Sequence, residues 1–503
     1  MTKFFFKISI FSLLVFASCT KDETNENPIV IDATQKDPLT IDQITTKIDE
    51  SFAAQNSFNW KEASNHMLWS AIYQGQKIAT IGFGNSENDF DRSKSSNNAN
   101  IQQELLDIIL KYEGKELDKV LISSDEYLNL VDVLIEKQET VIALRRSKFI
   151  RYIEPADYRY IESKGIVERS TSSSSSSGCG YESETLSTSD YTTITPNARM
   201  PWNFPLHNIN AAWNVSTGSG VTIGVIDTGV SPNQSLLGTS FNNGLSSGRT
   251  VQKYGTYVDS IWPWSTTTDG PNDQCGHGTS MASVATAPRN NAGLPVGVAY
   301  NANLITYRAA SNVVLEGYHE HNGVKNAFTA LGNNASVKII SMSMGHIISV
   351  GKIEDGVRYA YGKGKLIFCA GGTSTSFTSF AGVIFPAWMA EAVAVTGVKE
   401  GTSNQKCDVC HNGSKIDFTV QMQRTSSGNT VPVTSYYNAQ NDYVGGSSVA
   451  TATTAGIAAL VWSKNPTWTR DQVLTKMKQS ATYYPTRDAN YGHGNINAFL
   501  AVQ

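Results

Sequence analysis

A mainly parallel α/β domain preceded by a small α+β unit is the architecture this sequence predicts. Three observations carry that reading. Beyond Trp213, short runs rich in Val and Ile alternate with helix-like stretches; Val221 to Ile226, Lys338 to Ser341, Leu366 to Cys369 and Val393 to Val398 are examples. Such alternation implies βαβ units and a parallel sheet covered by helices on both faces. Ahead of it, from about Ile41 to Glu162, lies a stretch with hydrophobic patterns of its own. Between the two runs an uninterrupted serine tract, Ser172 to Ser177. A tract of that kind has no apolar surface to bury, so it reads as a linker and a place for cleavage. At 503 residues the chain has material for two or three domains.

The N-terminus sets the compartment. Lys3 and Lys7 precede a short apolar run, Ile8 to Ala17. It is too short to span a bilayer as a helix and suits the apolar core of an export signal. The run closes on Phe16-Ala17-Ser18-Cys19, which resembles a lipoprotein signal whose Cys19 becomes lipidated. Lys21-Asp22-Glu23 resembles a tag for the outer face of the cell. The expected location is therefore an outer-membrane or cell-surface lipoprotein, in contact with the membrane through its lipid. Residues from about Asn25 to Pro38 are polar, with two prolines, and read as a tether.

Within the α+β unit, Ile101 to Tyr112 and Leu128 to Lys137 carry apolar residues at helical spacing. Val141 to Ile153 reads as strand material broken by charges. The boundaries expected are 1–18 for the signal, 19–40 for the tether, 41–165 for the α+β unit, 166–200 for the linker and entry segment, and 201–503 for the α/β domain.

Net charge excludes one class of function. At −4, with no basic stripe, the chain is not built to bind nucleic acid. Cysteine usage is informative as well. With Cys19 lipidated, Cys179, Cys275, Cys369, Cys407 and Cys410 remain. An odd count leaves at least one thiol unpaired, and an oxidising compartment makes disulfides the default for the others. Cys407-Asp-Val-Cys-His411 matches the short haem-attachment motif. No other haem signature accompanies it, so a local disulfide or two separate loop cysteines is expected.

Three segments carry chemistry. Val221-Thr-Ile-Gly-Val-Ile-Asp227-Thr-Gly229 is an apolar strand ending in a carboxylate, at the end of a parallel strand where ligands bind. Gly276-His277-Gly278-Thr279 places a histidine, free of bulky neighbours, ahead of a small-residue helix. Gly445-Gly446-Ser447-Ser448-Val449-Ala450 is a glycine turn running into a helix of Ala, Thr and Gly. A serine there serves as a cap, yet the same place offers N–H groups and a positive dipole end to a developing oxyanion.

The order Asp, His, Ser along the chain is that of subtilisins and not of chymotrypsin or the α/β-hydrolases. From Trp213 to the C-terminus the sequence resembles the subtilisin-like serine proteases. The likeness extends to Gly293-Leu-Pro-Val-Gly-Val-Ala299, Ile340-Ser-Met-Ser-Met-Gly345, Phe385-Pro-Ala387 and Gly492-His-Gly-Asn-Ile-Asn-Ala498. It implies a serine endopeptidase acting on peptides or proteins, with Asp227, His277 and Ser448 as its triad and no required cofactor. Counting back from Gly456 and Ala458-Ala459-Leu460 selects Ser448 over Ser447 as nucleophile. The segment Ser343-Met344-Gly345 matches the edge strand that pairs with an extended substrate. Phe149-Ile-Arg-Tyr-Ile-Glu-Pro155 is similar to the end of an inhibitory propeptide, making the chain's own propeptide a partner.

Four departures from that family stand out. Where it carries an oxyanion-binding Asn, the matching residue is Gly372. Loss of that donor costs about a hundred- to a thousand-fold in turnover; the Ser448 N–H remains, and Ser447 or Thr373 offers a substitute hydroxyl. Ala452 replaces a Pro shortly after the nucleophile. Cys275 stands just before the His segment, beside the site if free and pinning that segment if paired. Asn290-Asn291-Ala-Gly293 matches a calcium-binding loop of some relatives but lacks carboxylates; a plain turn is the favoured reading, with structural calcium the other. The Gly372 departure also motivates two further readings, a peptide-binding pseudoprotease and a narrow-specificity processing protease or transpeptidase.

Overall fold

The computed structural model describes residues 37–94, 97–164, 179–373, 382–401 and 405–503. The expected signal with Cys19, and the Ser172 to Ser177 tract, lie outside those residues. Among the described residues no helix is long and apolar enough to cross a membrane.

The N-terminal unit contains α1 (Ile41–Gln55), α2 (Asn65–Gln74), β1 (Ile78–Phe83), α3 (Asn98–Glu113), β2 (Leu121–Ser124), β3 (Leu130–Leu134), α4 (Gln138–Arg145) and β4 (Ile150–Pro155). The strands form an antiparallel sheet in the order β2-β3-β1-β4. Helix α1 starts on a capping box, in which Thr40 and Gln43 satisfy each other's backbone N–H. Two expectations from helical and strand spacing are corrected here. Leu128 to Lys137 contains β3 instead of a helix, because Val131 and Val133 meet the apolar core while Asp132 turns to the opposite face and finds Thr80, Tyr318 and Lys352. Val141 to Ile153 is not one strand. It opens inside α4, whose Val141 and Leu144 pack into the same core, and becomes strand only at Ile150.

The second unit continues with β5 (Tyr191–Ile194), β6 (Ala198–Pro201), α5 (Ile209–Ala212), β7 (Thr222–Asp227), β8 (Val251–Gly255), α6 (His277–Thr286), β9 (Asn303–Arg308), α7 (Tyr318–Asn333), β10 (Val337–Met342), α8 (Gly351–Gly362), β11 (Leu366–Ala370), β12 (Val393–Lys399), β13 (Phe418–Gln423), β14 (Val431–Thr434), β15 (Asn441–Val444), α9 (Gly446–Lys464), α10 (Arg470–Gln479) and α11 (Ala498–Val502). Seven strands make one sheet in the order β13-β12-β11-β10-β7-β9-β8, with every neighbouring pair parallel. The expected α/β fold is present. Alternation along β7 shows why its sequence is apolar throughout. Ile223 and Val225 pack toward α6 and α9, whereas Ile226 packs toward α7 and α8. From β7 the chain runs to the edge strand β8, returns to β9 beside β7, and then crosses to β10 on the other side of β7. Asp227, at the carboxyl end of β7, sits beside that switch point.

The two units meet over the N-terminal ends of α7 and α8. Glu154 accepts from the Gly351 N–H at 2.7 Å and Asp157 from the Tyr318 N–H at 2.9 Å, so each acidic side chain caps one helix of the larger unit. Arg151 forks onto both carboxylate oxygens of Asp355 at 2.8 and 2.6 Å, with both side chains buried. Removing either partner of such a pair strands a buried charge, which costs about 3–5 kcal/mol. Burial pushes the Glu154 carboxyl up to about 8; the Gly351 N–H opposes this, and Glu354 and Asp355 add to it. Docked, Glu154 keeps its proton until about pH 8, whereas an exposed glutamate releases it near 4.5. Raising the pH across that window therefore favours separation of the units. After a cut between them, the N-terminal fragment should co-elute with the larger one at pH 6 and separate more readily at pH 9. Glu154→Gln should flatten that dependence in size-exclusion runs.

Candidate active site

Asp227 and His277 come together because β7 ends against the start of α6. The His277 Nδ1–H donates to Asp227 Oδ1 at 2.8 Å, and both side chains are buried. That contact fixes the tautomer, leaving Nε2 as the acceptor. Asp227 Oδ1 also accepts from the Thr228 N–H at 2.8 Å. Burial works against a charged imidazole, but the neighbouring Asp227 carboxylate, with help from Asp273, outweighs it and holds the His277 pKa above its ordinary value.

Sequence reading missed Asp273. Its buried carboxylate accepts from Cys275 N at 2.9 Å, Gly276 N at 2.8 Å, Thr279 N at 3.0 Å, Thr279 Oγ1 at 2.6 Å and Thr228 Oγ1 at 2.9 Å. It ties the turn before His277 to the residue after Asp227, so one carboxylate sets the spacing between two others' partners. The signal was an Asp three residues ahead of the Gly276-His277 pair, where it caps the incoming helix.

Ser448 lies in the first turn of α9, whose leading N–H groups have no acceptor within the helix. Its hydroxyl donates to the Ser343 carbonyl at 3.5 Å, and among the described residues no hydrogen bond joins it to His277. His277, Ser343 and Ser448 nevertheless line one cavity of about 600 Å³, together with Gly372, Thr373 and Ile161 from the end of the N-terminal unit. A serine–histidine contact of this type commonly closes only with substrate in place.

Around Gly372 the geometry explains the missing asparagine. Its φ of +125° lies where side chains are disfavoured, and a Cβ there would stand 2.3 Å from Nδ1 of His411. The His411 ring, held by the Gly382 carbonyl at 2.8 Å, occupies the room a side chain would need. Instead, the Gly372 N–H donates to Ser447 Oγ at 3.1 Å, and Thr373 Oγ1 lies 3.1 Å from both Ser447 N and Ser447 Oγ.

The segment Ser343-Met344-Gly345 borders the cavity. The Gly345 N–H donates to Val313 O at 3.0 Å and its carbonyl accepts from Leu315 N at 3.1 Å, so a neighbouring segment already pairs with it. Cysteines pair as Cys179 with Cys275 and Cys407 with Cys410, and Cys369 is a buried free thiol. Burial pushes that thiol's pKa up, away from reactivity. The Asn290 loop closes as a turn, with Asn290 Oδ1 accepting from Ala292 N at 3.0 Å and the Asn291 carbonyl accepting from Asn197 at 3.2 Å.

The profile of the subtilase family of peptidases matches residues 218–494, more than half of the chain. This chain belongs to the subtilase family. Subtilisin E of Bacillus subtilis (strain 168) is 31% identical over 291 residues, covering 57% of this chain and 67% of its own. Subtilisin BL of Lederbergia lenta is 29% identical over 311 residues, covering 60% of this chain and 99% of its own. Thermitase of Thermoactinomyces vulgaris is 25% identical over 292 residues, covering 58% and 92%. As a subtilase the protein is a serine endopeptidase, a hydrolase of peptide bonds. The Gly372 geometry makes a sharp prediction for this subtilase. Gly372→Asn, the apparent repair, should lower the melting temperature, by strain and overpacking of about 1–3 kcal/mol, without raising turnover. A variant as stable as wild type with higher kcat would refute the His411 account.

Proposed function

We propose that this subtilase cleaves its substrates with Ser448 as nucleophile, His277 as general base and Asp227 as the orienting carboxylate. The observation that carries the reading is the buried 2.8 Å Asp227–His277 hydrogen bond opening on the cavity that Ser448 lines. The Ser448 hydroxyl turns from Ser343 O to His277 Nε2, gives up its proton and attacks the peptide carbonyl. The imidazolium, stabilised by Asp227, then passes that proton to the leaving amine. Water repeats the sequence on the acyl-enzyme. The oxyanion meets the Ser448 N–H at the positive end of α9 and, in place of the absent asparagine amide, the Thr373 hydroxyl. Ser447 offers a second hydroxyl beside it, since each of the two accepts one N–H and keeps its own proton to donate. No cofactor enters the scheme.

The N-terminal unit serves in this reading as the enzyme's own inhibitory propeptide. Its support is the capping of α7 and α8 by Asp157 and Glu154, and the placement of Ile161 at the cavity wall. Export by the N-terminal signal, with lipid on Cys19, completes the proposal, and a cut in the serine tract separates the anchor from the catalytic unit. Gly372 keeps open the pseudoprotease alternative as the reading to beat; narrow processing or transpeptidase activity is told apart by product masses from a peptide library.

Two measurements test the scheme. A fluorophosphonate probe should label the processed protein and fail to label Ser448→Ala; processed wild type that never labels would sink the protease reading in favour of the pseudoprotease. Activity requires neutral His277, so kcat/KM should rise with pH through a midpoint above 6.5. Asp227→Asn should move that midpoint to lower pH and reduce kcat by about 10⁴-fold.

A further inference from the structure

The segment after the serine tract does not leave the site. Cys179 is joined to Cys275, two residues before His277. The Gly180 N–H donates to the Cys275 carbonyl at 2.8 Å, and the Gly180 carbonyl presses so closely on Gly276 that a Cβ there would stand 2.1 Å away. Gly276, at φ +96°, is thus the only residue type that fits beneath this crossing. Next along, the Tyr181 ring packs at a tilt against Tyr436 with centroids 4.2 Å apart, and Tyr436 donates to the Asp273 carbonyl at 3.0 Å. Farther on, Glu184 exchanges hydrogen bonds with Asn441 at 3.0 and 2.7 Å, and the Ser187 N–H donates to Tyr443 Oη at 2.8 Å. The segment is therefore fastened at one end to the His277 turn and at the other to β15, which leads into the Ser448 helix. Cys179, Gly180, Glu182 and Glu184 line the same cavity as His277 and Ser448.

We infer that residues 179–187 are a disulfide-locked wall of the substrate cleft, which positions the His277 turn and confines the peptide, and that maturation retains them on the catalytic unit. A linker segment with no role at the site has no reason to be held by a covalent bond, four hydrogen bonds to its backbone and a tilted aromatic contact, against the His277 turn at one end and the strand ahead of Ser448 at the other. Cys179 and the segment behind it are positioning elements and walls; none of them reacts.

The inference rests on the proposed serine-protease reading, and the test separates the two. Wild type, Cys179→Ser/Cys275→Ser and Tyr181→Ala would be processed, checked for folding by circular dichroism and thermal melting, and assayed by fluorophosphonate labelling and with long peptides. The double variant should label Ser448 more slowly and show KM for long peptides raised about tenfold or more, as a displaced positioning group predicts. Tyr181→Ala, which keeps the disulfide, should raise the same KM to a smaller degree and serves if the double variant does not fold. N-terminal sequencing should find the mature chain beginning at or before Cys179. Wild type that does not label overturns both readings. Labelled wild type with folded variants of unchanged labelling rate and KM overturns this one alone, as does a fully active mature enzyme lacking residues 179–187.

Discussion

The hydrogen bond between the buried Asp227 carboxylate and His277 Nδ1 is the constraint around which the larger unit is arranged. It joins the end of a central parallel strand to the start of a helix on one face of the sheet, so strand and helix must hold their separation to within a few tenths of an ångström. Asp273 does much of that work by accepting from both sides of the gap. A buried carboxylate tolerates this position only because its lone pairs are filled by N–H and O–H donors. The disulfide at Cys275 and the crossing of Gly180 over Gly276 act on the same turn from outside.

Docking of the N-terminal unit uses a related principle with a different outcome. Acidic side chains meet the N-terminal ends of two helices and accept from N–H groups that have no partner within the helix. Ion pairs such as Arg151 with Asp355 and Lys352 with Asp132 are buried between the units. Pairs of that kind specify a geometry more surely than they add affinity. Glu316, at the foot of α7, accepts from the Ile161 and Glu162 N–H groups, and lies next to the segment that pairs with Gly345. The end of the N-terminal unit and the Gly345 side of the cleft are thus part of one hydrogen-bonded layer.

At Gly372, steric fit excludes an amide side chain. His411 fills the volume above Gly372, and Thr373 and Ser447 build a hydroxyl pair beside Ser448 instead.

By itself the sequence determined the α/β class and the presence of an odd thiol, and it marked three candidate residues, because each is written in local patterns: apolar runs of strand length, glycines flanking a histidine, a glycine turn before a helix of small residues, a count of cysteines. Tertiary structure decided what depends on which surface a segment meets. Leu128 to Lys137 has apolar spacing compatible with a helix, but sheet pairing with β1 makes it β3. Asp273 is an ordinary acidic loop residue until five donors converge on it. Gly345 pairs with Val313 and Leu315, some thirty residues earlier, a contact its motif does not show. The pairing of Cys179 with Cys275 follows from the return of a segment across the His277 turn, a long-range contact that no local pattern encodes.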